Sequence, residues 1–277
     1  ALPPPDELER VLSFIDSEIS KIDSLISEQE KLIALLKEKR QAVISHAVTK
    51  GLDPNVPMKD SGIEWLGKVP AHWKIKRVSW VFSMISSGTT PSSDTDKYYG
   101  GDISWVTTGE LRESVIFETE KTVTNQAVAE LSALRIYPVG TLLIALYGAT
   151  IGRLGFLGVE AATNQACCAM VGPVGVVPQF VFYALMAAKE HLLLIASGGG
   201  QPNINQDKVR SLRIPVPELA EQERIVSELD DAVNRIDLLI DQAEHGIRLL
   251  SERRSALISA VVTGKIDVRQ YKAREVA

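Results

Sequence analysis

The chain has 277 residues, 45% of them hydrophobic, 23% charged and 6% aromatic, enough for one large domain or two ordinary ones with a real core. Its two cysteines, Cys167 and Cys168, are neighbours and cannot build a disulfide framework, so a reducing cytoplasm is the expected location. The four histidines, His46, His72, His191 and His245, have no metal-ligand spacing, and a formal net charge of −5 is not the footprint of a strong stand-alone nucleic-acid binder.

The opening ALPPPDELER carries neither an initiator Met nor a charged-then-apolar leader, which reads as a chain cut near a natural boundary. An internal repeat starts at once. Displaced by 214 residues, positions 9–53 match 223–267 without a gap, and 20 of the 45 pairs are identical, among them Arg10/Arg224, Asp23/Asp237, Leu35/Leu249 and Arg40/Arg254. In the first copy Ile15, Ile19, Ile22, Ile26, Ile33 and Leu36 fall on alternating steps of four and three, a heptad seam with Gln29 and Arg40 as polar intrusions. Prolines before it and Gly51 after it bound a helix of roughly 45 residues, about 68 Å long, within a first region 1–53.

Residues 54–218 change character, with frequent Gly and Pro and short β-branched runs, and predict a mixed α and β head. Strands are expected at 76–82, 103–107, 141–145, 152–156, 166–171 and 210–215, and a helix over 179–195. Residues 161–188 carry no charge, but Thr163, Asn164, Gln165, Pro173 and Pro178 interrupt them, so they read as buried soluble structure without a membrane span. The loop Ser197-Gly-Gly-Gly-Gln-Pro-Asn-Ile-Asn-Gln206 fails both nucleotide patterns: no Lys-Ser/Thr follows its glycines, and no G-x-G-x-x-G occurs in the chain. It is either a plain turn or a place where amides meet adenine edges or phosphates. No G-x-S-x-G elbow, nuclease core or partnered nucleophile is present, and acidic pairs such as Glu118/Glu120 read as solvated. The head holds 14 basic and 14 acidic residues, so a basic face could still be assembled from Lys74, Lys76, Arg77, Lys97, Arg153, Lys208, Arg210 or Arg213.

The second copy of the repeat occupies 219–269, ahead of a tail at 270–277, with its seam at Leu229, Val233, Ile236, Ile240, Ile247 and Leu250. Because the head must begin and end at one tip, the two helices are expected to pair antiparallel as a long stalk; homo-oligomerisation through the same stripe is the plainer alternative. Arg40 and Arg254, at equivalent seam positions, are expected to set register or meet a partner, with snorkelling into solvent as the bland alternative.

Several segments together carry a resemblance: Ile63-Glu-Trp-Leu-Gly-Lys-Val-Pro-Ala-His-Trp73, Tyr98-Tyr-Gly-Gly-Asp-Ile-Ser-Trp-Val-Thr-Thr-Gly-Glu110, Gly148-Ala-Thr-Ile-Gly-Arg-Leu-Gly155, Ala162-Thr-Asn-Gln-Ala166, Gly198-Gly-Gly-Gln-Pro-Asn-Ile-Asn-Gln206 and Ile214-Pro-Val-Pro-Glu-Leu-Ala-Glu-Gln-Glu-Arg-Ile-Val226. The chain resembles the specificity subunit of type I restriction-modification systems, specifically a second target recognition domain with its central and C-terminal conserved-region helices. Leu2-Pro-Pro-Pro-Asp-Glu-Leu-Glu-Arg10 resembles the tail of a preceding recognition domain.

The resemblance implies an α+β target recognition domain on a long antiparallel two-helix coiled coil, acting without catalysis. It implies reading of half of a split target in double-stranded DNA, and docking of methylation and, through the complex, restriction subunits. No cofactor is expected in the chain itself; S-adenosylmethionine and ATP with Mg are expected on those subunits. A complete target would need another half-subunit or a second copy. Base-reading candidates are Ser87, Gly88, Thr89, Thr90, Tyr98, Tyr99, Thr107, Thr108, Glu110, Thr150, Arg153, Asn164, Gln165, Gln201, Asn203 and Asn205. The competing reading is a coiled-coil adaptor whose head binds protein or is inert. Convergence of the polar loops and basic side chains on one face separates the two.

Overall fold

The computed structural model describes residues 4–92, 96–197 and 202–268, and the chain divides into two compact units, residues 41–230 and the flanking residues on either side. Gln201, the glycines 198–200 and the tail 270–277 lie outside the described residues.

Helix α1 runs Pro5–Lys50 with Asp6 and Glu7 in its first turn, where carboxylates suit the positive end of the helix dipole. It stops at Gly51, whose φ of 78° lets its amide turn back to the Ala47 carbonyl. The last turns, from Gln41 on, belong with the head: Ile44 and Val48 are fully buried, and the Lys50 ammonium donates to the carbonyls of Leu66 and Lys68. Burial, with the nearby charge of Lys68, holds that ammonium below the usual lysine range.

The head then lays down strands β1 (Met58–Asp60), β2 (Lys68–Pro70), β3 (Lys74–Arg77), β4 (Phe82–Ser87), β5 (Tyr99–Val106), β6 (Val115–Ile116) and β7 (Lys121–Val123). Helix α2 (Asn125–Glu130), strands β8 (Leu142–Ala145), β9 (Leu154–Leu157), β10 (Ala161–Thr163) and β11 (Cys167–Pro173), and helices α3 (Pro178–Ala187), α4 (Lys189–Leu194) and α5 (Gln206–Ser211) follow; strand β12 (Arg213–Val216) precedes helix α6 (Leu219–Val262). The central sheet has the order β4-β11-β8-β9-β6, a second sheet the order β10-β5-β7, and two ribbons pair β1 with β2 and β12 with β3. Every residue of β8 and β10 is buried, which is why these runs are continuously apolar or small and do not alternate. Val106, Leu111, Tyr137, Leu143, Leu157 and Ala169 form one core cluster, and Trp105, Val123, Ala127, Leu134 and Ala162 another.

Three expected elements are corrected. The strand expected over 76–82 is two strands, because Val78–Trp80 make a turn of 3-10 helix while the Val78 amide bonds the Leu212 carbonyl. The strand expected over 210–215 starts only at Arg213, since Asn205 caps a short helix through Ser211 by accepting from the Lys208 amide at 2.9 Å. The helix expected over 179–195 breaks at Ala188, whose amide is shared between the Ala184 and Met186 carbonyls; with neither Gly nor Pro there, no local signal marks the break.

The flanking unit comprises α1 up to Arg40 and α6 from Asp231, and its contacts fix the pairing as antiparallel. Arg40 bonds Asp237, Asp23 bonds Arg254, and Ile15 clusters with Val261 and Val268, so each step back along α1 matches a step forward along α6. The seam residues of both copies are buried or half-buried, consistent with a stripe that covers itself. The two ion pairs are one interaction repeated: the displacement that turns Arg40 into Arg254 turns Asp23 into Asp237. Each arginine at a seam position is therefore met by an aspartate of the other helix, which ties the register of the pair.

Candidate nucleic-acid interface

Sheet register decides which loops meet. Ser87 stands opposite Cys168, Cys167 opposite Ala145, and Ile144 opposite Leu154, so the C-terminal ends of β4 and β8 and the N-terminal ends of β11 and β9 lie together. Strands β5 and β10 run parallel with Val106 opposite Thr163, and the Asn164 amide bonds the Val106 carbonyl at 3.0 Å, which brings the exits Thr107 and Asn164 side by side. The loops beginning at Ser87, Leu146 and Asn164 are thus gathered by pairing alone.

Hydrogen bonds bind them further. Gly88 presses so closely on β10 that a Cβ would sit 1.8 Å from the Thr163 carbonyl oxygen, and the Thr89 amide donates to that same oxygen at 3.1 Å. The Trp105 indole donates to the Thr89 carbonyl at 3.3 Å, and the Thr90 hydroxyl donates to the Gln165 side-chain carbonyl. Asn203 pairs with Ser197 through two backbone bonds of 2.9 Å and bridges to Tyr147, while the Gly148 amide reaches the Pro202 carbonyl at 2.9 Å. The Leu146 amide bonds the Ala166 carbonyl, joining this second cluster to the first. Thr90, Gln165, Tyr147 and Arg153 are left exposed on the assembled end.

Other candidates serve the fold. Glu110 accepts from the amide and hydroxyl of Thr107 and from the Glu120 amide, closing the Thr107-Thr108-Gly109-Glu110 turn; Thr108 stays half-buried. Asn164 makes a local turn by accepting from the Ala166 amide, Asn205 is the cap of α5, and the Thr150 hydroxyl donates to the Tyr147 carbonyl. Tyr98 ends a turn of 3-10 helix before β5 and its hydroxyl donates to Glu130, while Tyr99, the first residue of β5, is tied to the Ser87–Thr90 loop by a hydroxyl that donates to the Pro91 carbonyl. Bonds from Gln126, Lys97 and Tyr98 depress the Glu130 carboxyl to about 2.

The electrostatics are uneven. An open cleft of about 370 Å³ beside the Thr107 turn is walled by Glu110, Glu118 and Glu120 against Arg112 alone, a poor seat for phosphate. A smaller one, about 240 Å³, is lined by Arg112, Arg153, Lys189 and Glu113. Of the proposed basic face, Lys97 pairs with Glu130, Lys74 lies 3.9 Å from Glu218, and Lys208 is used by the Ile195 carbonyl and the Ser197 hydroxyl. The basic side chains do not all converge with the loops. Tyr147, 43% exposed at the gathered end, was missed as a base-stacking candidate; an aromatic flanked by Gly148 and Thr150 in a polar loop was its signal.

The thiols of Cys167 and Cys168 are buried, and burial pushes both well above the usual range, Cys168 to about 12, which disfavours the thiolate form that a nucleophile or a metal ligand needs. Among the described residues no three His, Cys, Asp or Glu side chains gather as a metal site, and no helix is long and apolar enough to cross a membrane.

A family model described as the type I restriction modification DNA specificity domain matches residues 70–244. The chain belongs to this family. The specificity domain is 31% identical to the type I restriction enzyme MjaIX specificity subunit of Methanocaldococcus jannaschii over 169 residues, which are 59% of this chain and 38% of that one. It is 23% identical to the EcoR124I/EcoR124II specificity subunit of Escherichia coli over 252 residues, 89% of this chain and 57% of the relative. By fold it matches, with TM-score 0.74 and 17% identity, a chain solved in work on assembly and conformational transition of the type I R-M system, covering 96% of this chain and 61% of that one. The HsdS subunit from Thermoanaerobacter tengcongensis matches with TM-score 0.57 and 16% identity, over 96% of this chain and 60% of its own. This chain thus spans between 38% and 61% of the length of these proteins. In a member of this family the gathered loop end is the natural candidate for the nucleic-acid interface.

Proposed function

We propose that this specificity domain reads a short DNA sequence without catalysing a reaction on it. The observation that carries the proposal is the gathering of Ser87–Thr90, Asn164–Gln165, Tyr147–Arg153 and Asn203 at one end of the central sheet, with Thr90, Gln165, Tyr147 and Arg153 exposed. An amide and a guanidinium are the groups that make two-point contacts to adenine and guanine edges in the major groove, each discriminating by about 1 to 3 kcal/mol. The head reads one half of a split target, and the other half falls to a second head, from another half-subunit or a second copy.

The helix pair supports docking of methylation subunits. Leu25 and Leu239, 52% and 48% exposed, are equivalent in the repeat, as are Leu35 and Leu249, 63% and 51% exposed, so the pair offers the same apolar steps twice. S-adenosylmethionine belongs to those subunits, ATP with Mg to the restriction subunits, and the whole assembly to the cytoplasm where its DNA lies.

The test is a titration of the full chain with its methylation subunits on a randomised duplex pool at two salt concentrations, with sequencing of the bound fraction. Enrichment of a short half-site is expected. A pool that stays random while the subunits are bound would refute sequence reading and favour the adaptor.

A further inference from the structure

The ribbon of β12 and β3 carries an arrangement that the gathered loops do not use. Arg77 stands directly opposite Arg213 in its register, and both side chains are exposed. Like charges facing each other across an antiparallel pair, with Cβ atoms about 4.5 to 5.5 Å apart, destabilise the pair. Arg77 also lies 5.8 Å from the ring centre of Trp80, which is itself 64% exposed. Arg210, on the adjoining α5, donates to the Ile85 carbonyl at 3.3 Å.

No carboxylate lies within ion-pair distance of Arg77, Arg210, Arg213 or Lys76 among the described residues, whereas Lys97 and Lys74 have Glu130 and Glu218. Asp207, at the start of α5, is the near acidic residue in sequence and makes no ion pair with Arg210. A solvated surface explains scattered cations; it does not explain a facing pair beside an exposed indole. Guanidinium, ammonium and the indole N–H donate and do not accept, which calls for an acceptor, and the guanidinium and ammonium groups are also positively charged without an ion-pair partner, which calls for an anion.

The place in the fold names the anion. Ile85, which holds Arg210, is on β4, and its chain reaches the candidate reading residue Thr90 in at most about 17 Å of extended backbone. Duplex DNA presents about ten phosphate charges over that length. We infer that Arg77, Arg213, Arg210 and Trp80 form a backbone anchor that grips phosphates of the duplex flanking the base pairs read by the loops. The inference rests on the DNA-reading proposal and deepens it: the anchor positions the duplex and contributes no sequence preference.

The test compares the full chain, in complex with its methylation subunits, with the same complex of its R77Q/R213Q variant by fluorescence anisotropy, on a duplex selected from the pool and on one of scrambled sequence, over a salt series. Loss of two phosphate contacts lowers the slope of log affinity against log salt by about 1.8 on both duplexes, leaving the ratio of the two affinities unchanged. Between about 50 and 200 mM salt the wild type then weakens about 12-fold more than the variant. The R77K/R213K variant keeps the slope, and the Gln variant melts at or above the wild-type temperature because a repulsive rung has gone. An unchanged slope with intact discrimination by the wild type overturns the anchor and leaves the reading proposal standing. A wild-type complex that binds neither duplex, with the methylation subunits bound, overturns both. Weakened binding of methylation subunits at an unchanged slope assigns the patch to protein and likewise overturns the anchor.

Discussion

Replacing Gly88 with alanine tests how the gathered loop end is held. The φ of Gly88 lies outside the left-handed region, so any cost arises from space alone: the new Cβ would sit 1.8 Å from the Thr163 carbonyl oxygen and 2.6 Å from its carbon, both backbone atoms. Neither can rotate away, and a carbon to oxygen approach needs more than an ångström of additional room. The strand and loop must part, and two bonds break with them, Thr89 amide to Thr163 carbonyl at 3.1 Å and Trp105 indole to Thr89 carbonyl at 3.3 Å. Overpacking costs about 1 to 3 kcal/mol and each lost bond about 0.5 to 1.5 kcal/mol, so G88A is expected to destabilise the head by about 2 to 6 kcal/mol. For a unit of this size that lowers Tm by roughly 4 to 24 °C. The control is G100A, where φ is 76° and no atom lies within 4 Å of the new Cβ; only backbone strain remains, about 1 to 2 kcal/mol. Thermal and urea unfolding of both variants, with hydrogen exchange at Thr89 and Trp105, reads the difference. A G88A protein as stable as G100A, or one that keeps protection at Thr89, would refute this account of the strapped loop.

The two repeated ion pairs should differ in strength despite their common origin. Arg40 meets Asp237 through two bonds, 2.8 and 3.4 Å, with side chains 19% and 44% exposed, whereas Arg254 and Asp23 are 42% and 50% exposed. Double-mutant cycles are expected to give about 1 kcal/mol for the first and about 0.3 kcal/mol for the second, and the reverse order would show that burial does not set their worth. For Glu130, whose carboxyl is depressed from 4.5 to about 2, the stabilising contribution is complete above about 4.5 and is lost as pH falls toward 2. An NMR titration should place its midpoint near 2, and E130Q should remove that part of the acid sensitivity; a midpoint near 4.5 would mean that Lys97, Tyr98 and Gln126 do not hold it.

The helices were legible in the sequence because their signals are local and periodic. Steps of four and three at Ile15, Ile19 and Ile22, Gly51 past the end of α1, and the repeat itself define two long helices with one buried stripe each, whatever surrounds them. Even the arginine–aspartate exchange is implicit in the repeat once antiparallel pairing is granted. The head was legible only as α and β segments, and wrongly where local pattern misled: the strand expected from residue 210 is a short helix up to Ser211, begun by Asn205, whose side chain caps it by accepting from the Lys208 amide.

The use of each polar side chain was decided by tertiary structure, because the partner is remote in sequence or the choice among partners depends on strand register. Thr90 meets Gln165 across 75 residues, Tyr98 meets Glu130 across 32, and Arg77 faces Arg213 through a pairing of strands at opposite ends of the head. Composition supplies the donors and acceptors, and heptad periodicity supplies the helix pair. Only the paired sheets determine which groups are consumed inside the head and which remain exposed, since each hydrogen bond made within the fold occupies one N–H or O–H and leaves only the donors that remain.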